Sequence, residues 1–206
     1  MALVLWDLAK APDGRIVWIN ENYNGELSCV ECGGQMIAVK GEIKQHHFRH
    51  TAESNCSGES ARHWSKKYQI HDILKEFGDS EVEKAISTNG IQYIADVRFE
   101  KEWAFEVVIS NPPSDDKFEN LKERLIIFDF NDEHWYNDSV YDYHFEPDKI
   151  EDMVEQIAKG ILEENTETYD FPVCKSCRRV KGKWARFKRG EICIGCDMYG
   201  YPPNYR

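Results

Sequence analysis

Gln92-Tyr-Ile-Ala-Asp-Val-Arg-Phe99, Glu100-Lys-Glu102, Trp103-Ala-Phe-Glu-Val-Val-Ile109: two runs rich in β-branched and aromatic residues, separated by a short charged turn, predict a β-hairpin. Inside the apolar runs stand two acids, Asp96 and Glu106. A carboxylate among Ala104, Phe105, Val107 and Val108 has to be paired, solvated by a cleft or bound to a cation. Two carboxylates on adjacent strands joined by a short turn can hold Mg²⁺ or Mn²⁺ between them and polarise a water towards a phosphodiester.

Working outward, Val82 to Ile86 reads as a third strand, set off by a turn at Gly90. Upstream, Trp64, Tyr68, Ile70, His71 and Leu74 recur at helical spacing and predict a helix from Ser60 to Phe77. Downstream, Pro112 and Pro113 interrupt the chain before a helix from Asp115 to Glu123. A buried strand over Leu125–Phe130 and a last helix near Asp148 to Glu163 follow. At the other end, Leu3–Trp6 and Ile16–Ile19 flank Pro12-Asp13-Gly14 as a hairpin, and strands from Met36 to Val39 and up to Phe48 follow a Cys29-x-x-Cys32-Gly-Gly knuckle. Strands and helices in separate runs make this an α+β chain.

The seven cysteines of the 206 residues fall in two groups. Cys174, Cys177, Cys193 and Cys196 form two Cys-x-x-Cys pairs, a spacing that predicts a four-thiolate zinc ribbon, with Gly182, Gly190 and Gly195 for its turns. Cys29, Cys32 and Cys56 share their segment with His46, His47 and His50, more ligands than one tetrahedron needs. Cys29 and Cys32 plus two of the others give a second zinc site. An extended chain points His47 and His50 to different sides, which favours His50 with Cys56, but the spacing does not settle the pair.

Charge divides the chain. From Pro172 onward nine Lys/Arg face two Asp/Glu, a net +7, so residues 1–171 carry −18 of the total −11. Arg178, Arg179, Lys181, Lys183, Arg186, Lys188 and Arg189, with Lys175, surround Trp184 and Phe187, a mixture suited to phosphates and stacked bases, and so to nucleic acid. The acidic body, tyrosine-rich from Trp135 to Phe145, offers a second kind of partner, a basic protein surface. The start has no basic region before a long apolar run, and no stretch of about 18 apolar residues occurs. The expectation is a soluble cytoplasmic protein with no membrane partner.

Beyond Cys56, Glu59, His63 and Lys67 lie at i, i+4, i+8, on one helix face. With these, Cys29-x-x-Cys32-Gly-Gly, Lys40-Gly-Glu-Ile, His47-Phe-Arg-His50, Cys56, Ala95-Asp96-Val97 and Phe105-Glu106-Val, the chain resembles the competence protein CoiA-like family over residues 1–130. That family is assigned to the PD-(D/E)xK, restriction-endonuclease-like nucleases, preceded by a small metal-binding module. The resemblance implies a metal-dependent nuclease acting on DNA, with a mixed central sheet. It makes Asp96 and Glu106 the magnesium-binding carboxylates, with Glu59, His63 and Lys67 on the first core helix facing them. One departure is plain: where the family continues Glu-x-Gln or Glu-x-Lys, this chain has Val108. Lys67 is the cation available to substitute; the other outcome is a nuclease fold that binds nucleic acid or a protein without cutting. The four-cysteine ribbon is not a feature of the family.

The expected organisation is an N-terminal hairpin and zinc module (1–57), a restriction-endonuclease-like core (58–162), an acidic linker (163–171) and a basic zinc ribbon (172–206).

Overall fold

The computed structural model describes residues 5–43, 45–56, 58–130 and 150–162, and the backbone of 187–188 and 192–193. It is α+β and divides into two compact units, Met1–Lys66 and Lys67–Arg206. The division falls within the first helix, α1 (Gly58–Leu74), rather than ahead of it. The cause is packing: Ala61 and Trp64 join the core of the first unit, and Ile70 and Leu74 the core of the second.

The first unit is an antiparallel sheet of β1 (Leu8–Lys10), β2 (Ile16–Trp18), β3 (Leu27–Ser28), β4 (Gln35–Val39) and β5 (His47–His50), in the order β2-β1-β3-β4-β5. The predicted first hairpin is shifted along the chain. Of the expected Leu3–Trp6 strand, Leu3 and Val4 lie outside the described residues, and it is Leu8 that pairs with Trp18. A tighter loop wins: Ala11 N–H donates to the Arg15 carbonyl and Gly14 N–H to that of Ala11, each at 2.9 Å, with Gly14 at φ +87°. Trp6 bridges Phe48 on β5 instead. Trp6, Val17, Leu27, Met36 and Phe48 make a small apolar core.

The second unit holds β6 (Ser80–Thr88), β7 (Ile91–Phe99), β8 (Trp103–Val108) and β9 (Leu125–Asp129), in that order. β6 to β8 are antiparallel neighbours, and β9 runs parallel to β8. The parallel pair needs a crossover, supplied by α2 (Asp115–Leu121) and a 3₁₀ turn (Lys122–Arg124). Asn89-Gly90, both at positive φ, make the two-residue turn between β6 and β7. Glu100 and Lys101, also at positive φ, turn β7 into β8.

Apolar layers cover both faces of this sheet. On one side Ile70 and Leu74 of α1 and Val154 and Ile157 of α3 (Ile150–Leu162) pack with Val97, Phe99, Phe105, Val107, Ile126 and Phe128. On the other, Phe118 and Leu121 of α2 pack with Ile86, Ala95, Ala104, Val108, Leu125 and Ile127. β8 and β9 alternate regularly between the layers. β6 and β7 do not: Val82 and Val97 belong to the first layer, Ile86 and Ala95 to the second, although even spacing puts such residues on one side of a regular strand. The alternation inverts between them, at Glu83 and Asp96. Glu83 has φ +52°, a left-handed conformation rare for a residue with a side chain.

Of the C-terminal segment, two short strands are described, β10 (Phe187–Lys188) and β11 (Ile192–Cys193), antiparallel with Phe187 opposite Cys193. Cys174, Cys177 and Cys196, the side chains of the basic residues, the acidic linker and Trp135–Phe145 lie outside the described residues. No helix among the described residues is long and apolar enough to cross a membrane.

Candidate functional sites

In the first unit, β3 and β4 are joined by the knuckle Cys29–Gly34. Cys29 N–H donates to the Gly34 carbonyl at 2.8 Å and Gly33 N–H to that of Cys29 at 3.0 Å, with Gly33 at φ +71°. The turn folds Cys32 back beside Cys29. β5 pairs with β4, setting His50 opposite Met36 next to the knuckle, and the chain after β5 returns Cys56. The potential ligand atoms of Cys29, Cys32, His50 and Cys56 all lie within 4.8 Å of one another. Among the described residues no other three or more of His, Cys, Asp and Glu do so.

The spacing fits zinc. A tetrahedron with Zn–S near 2.3 Å and Zn–N near 2.05 Å has edges of about 3.8 Å between sulfurs and about 3.6 Å from sulfur to nitrogen. Cys29 Sγ is 3.8 Å from Cys56 Sγ, and Cys32 Sγ is 3.4 Å from His50 Nε2. Gly34 is constrained here, because a Cβ would stand 3.2 Å from Cys32 Sγ and 3.4 Å from the His50 ring. Without a cation the cluster resists full ionisation, most of all at Cys56. Burial pushes Cys29 and Cys56 up, and Cys32 and Cys29 push Cys56 further, while the Gly34 N–H lowers Cys32. A divalent ion overcomes that resistance, so this is a candidate zinc site. His47, also counted among the ligands, does not join it. Its side chain is buried on β5, with Nδ1 2.9 Å from the Gln45 carbonyl. The period-two alternation of β5 puts His47 and His50 on opposite faces of the strand.

In the second unit, β7 and β8 bring Asp96 and Glu106 together. Their ladder runs from Phe99↔Trp103 to Val97↔Phe105, and one step further sets Asp96 opposite Glu106. There the amides turn to side chains: Val107 N–H donates to Asp96 Oδ2 at 2.8 Å, and Asp96 N–H to Glu106 Oε1 at 3.3 Å. Each acid is thus held by the backbone of the opposite strand. Lys67 from α1 reaches Asp96 Oδ1 at 2.8 Å and also contacts Glu83. Burial works to lower the Lys67 pKa, but Asp96 and Glu83 outweigh it and raise it, so the ammonium stays charged.

Two participants carried no sequence signal. Lys117, in the first turn of α2 where Ser114 caps its N–H, donates to Glu106 Oε2 and to the Ile94 carbonyl, each at 2.6 Å. Glu83 meets Asp96 through the β6–β7 register and shares Lys67 with it. Of the other residues expected here, Glu59 and His63 lie on α1 within the first unit, Glu59 with only its backbone described. Val108 is a core residue.

Burial, with Asp96 beside it, pushes Glu106 up to about 7 against the pull of Lys117. Asp96 on β7 and Lys117 on α2 touch it directly; Lys67 and Glu83 act through Asp96, and Asp129 on β9 stands two residues beyond its partner Ile127. A carboxyl whose pKa is raised by folding holds its proton more tightly folded than unfolded. Its contribution to stability is therefore full below about 4.5 and is lost as pH rises towards 7. For metal-free protein, the unfolding free energy of wild type minus that of Glu106→Gln, followed by denaturant titration, should fall across this window and level above it. A difference flat with pH would contradict the burial of an ionisable Glu106.

The chain matches no protein-family model, no curated protein and no solved structure.

Proposed function

We propose that the second unit is the catalytic core of a divalent-cation-dependent nuclease acting on DNA, of the restriction-endonuclease-like kind implied by the resemblance to the CoiA-like family. The observation that carries this reading is the pairing of Asp96 and Glu106 across β7 and β8, each fixed by the opposite backbone and each within reach of a lysine. The mixed sheet with its helical crossover is consistent with the same resemblance.

Two carboxylates suit Mg²⁺, which keeps several waters and takes its remaining ligands from substrate phosphate. Bound there, the cation would supply Lewis acidity towards a phosphodiester. Asp96 and Glu106 orient it, and their bonds to Val107 N–H and Asp96 N–H keep them from rearranging as charge develops. Lys67 stands beside Asp96 as a fixed positive charge for the phosphoryl oxygens, and Lys117 offers a second such charge beside Glu106. Zinc at Cys29, Cys32, His50 and Cys56 would hold the first unit together. A second zinc at Cys174, Cys177, Cys193 and Cys196 would order the basic ribbon that brings nucleic acid in.

The test is cleavage of labelled single-stranded, duplex and branched DNA, and of RNA, in Mg²⁺ or Mn²⁺. Wild type should cut at least one DNA form, and the Asp96→Ala, Glu106→Ala double variant should lose about 10³-fold or more, as when a group stabilising transition-state charge is removed. Equal cleavage by the two proteins would sink the reading. A second reading has its own observation: both acids already have a lysine partner, as in a nuclease fold kept for binding alone. It predicts DNA binding that depends on Arg178, Arg179, Lys183 and Lys188, with no cleavage under any cation.

A further inference from the structure

We propose that Glu83 is a positioning residue of this centre, the acid that offsets Lys67 so that Asp96 and Glu106 keep a net negative charge for the cation; this rests on reading that pair as a cation site. Three observations converge on Glu83. The strand registers set Glu83 opposite Asp96 and Asp96 opposite Glu106, three acids in a row across three strands. The backbone at Glu83 is left-handed, φ +52°, in the middle of a nine-residue strand, and the inward-facing alternation of β6 and β7 changes sides at that point. The Glu83 carboxylate contacts the Lys67 ammonium, which also holds Asp96 Oδ1 at 2.8 Å.

Positive φ is strained for a residue with a side chain and persists where the surroundings over-determine it. Glycine or asparagine would accept this conformation more readily, yet the residue is an acid. The inversion gives that acid its use: a regular strand would keep one alternation throughout, whereas here the side chain meets Lys67. The balance of charge gives the contact its consequence. Within the described ion-pair chain, once Glu106 has given up its proton to a cation, three acids, Glu83, Asp96 and Glu106, face two cations, Lys67 and Lys117, an excess of one negative charge. Without Glu83 the two lysines balance the two remaining acids, and a divalent cation meets a neutral site. Glu83 itself is 40% exposed. Its role is to neutralise Lys67 while the buried pair faces the cation.

The experiment is calorimetric titration of the full chain, its cysteine sites first saturated with zinc, with Mn²⁺. Glu83→Gln should weaken Mn²⁺ binding about tenfold or more, the scale of one unit charge a few ångströms from a divalent ion at the effective dielectric of a protein surface. Glu83→Gly, which relaxes the backbone while removing the carboxylate, should weaken it equally. The Glu83→Gln, Lys67→Gln double variant restores the excess negative charge and should recover affinity to within about threefold of wild type by the same charge count. A merely structural Glu83 would give no such recovery. Equal affinity of wild type and Glu83→Gln, or a double variant no better than the single, overturns the role of Glu83 alone. A wild type that takes up no Mn²⁺ overturns the cation site and the role of Glu83 together.

Discussion

Replacing Cys56 by Ser is expected to remove the zinc ion of the first unit and to unfold that unit. That unit has little else to hold it: its strands are two to five residues long, and its buried core is Trp6, Val17, Leu27, Met36, Phe48 and a few small residues. Short strands around so small a core need a staple, and the binding free energy of a structural zinc, about 10–16 kcal/mol in small metal-folded peptides, is folding free energy there. Cys56 is also the ligand brought from furthest along the chain, since it closes the loop that begins at Cys29. Zinc content by mass spectrometry should fall by one ion per chain. Amide protection should collapse over β1–β5 and persist over β7–β9. Unchanged zinc content, or a first unit as protected as in wild type, would contradict the Cys29, Cys32, His50 and Cys56 site.

Lys67→Met should be the most damaging single change in the second unit. Its ammonium is almost fully buried and touches both Asp96 and Glu83. Removing one partner of a buried ion pair costs about 3–5 kcal/mol, because the remaining charge is left uncompensated. Here Asp96 would face Glu83 and Glu106 without its lysine. In zinc-loaded protein the loss of stability should be largest without Mg²⁺ and should shrink when Mg²⁺ is added, since a divalent cation would supply the missing positive charge. Thermal unfolding with and without Mg²⁺ checks this. A Lys67→Met protein no more stabilised by Mg²⁺ than wild type would contradict a cation taking over the charge of Lys67 beside Asp96.

The parts of the fold that were legible in the sequence are those in which local chemistry and tertiary packing agree. Alternating Val, Ile, Phe and Trp with the Asn89-Gly90 and Glu100-Lys101 turns specified β7 and β8 to within a residue, and β6 with two residues missed at each end. Asp96 and Glu106 stood out because carboxylates in apolar strands need a reason. Cys29-x-x-Cys32-Gly33-Gly34 announced a knuckle because those glycines serve a positive φ and a close approach to sulfur.

The rest depended on contacts between distant segments. Leu8 rather than Trp6 pairs with β2, because loop closure and the bridge from Trp6 to Phe48 outweighed local hydrophobicity. The choice between His47 and His50 turned on how β5 pairs with β4, which no spacing encodes. Helical periodicity ran unbroken through α1, so nothing in it marked the change of core between Trp64 and Ile70. Nothing in the sequence singled out Lys117, and only the parallel crossover brings it to Glu106. Glu83 was the least visible. Neither Gly nor Asn marks its left-handed backbone, and the inverted alternation shows only once both faces of the sheet are covered.

The most direct test of the cation site is anomalous diffraction from crystals of the zinc-loaded protein soaked in Mn²⁺, recorded at the manganese edge. A peak is expected between the Asp96 and Glu106 carboxylates, with oxygen ligands at about 2.1–2.2 Å, the range for a small hard divalent cation. Strong manganese density elsewhere, with Lys67 and Lys117 still closing an empty pair of carboxylates, would contradict it.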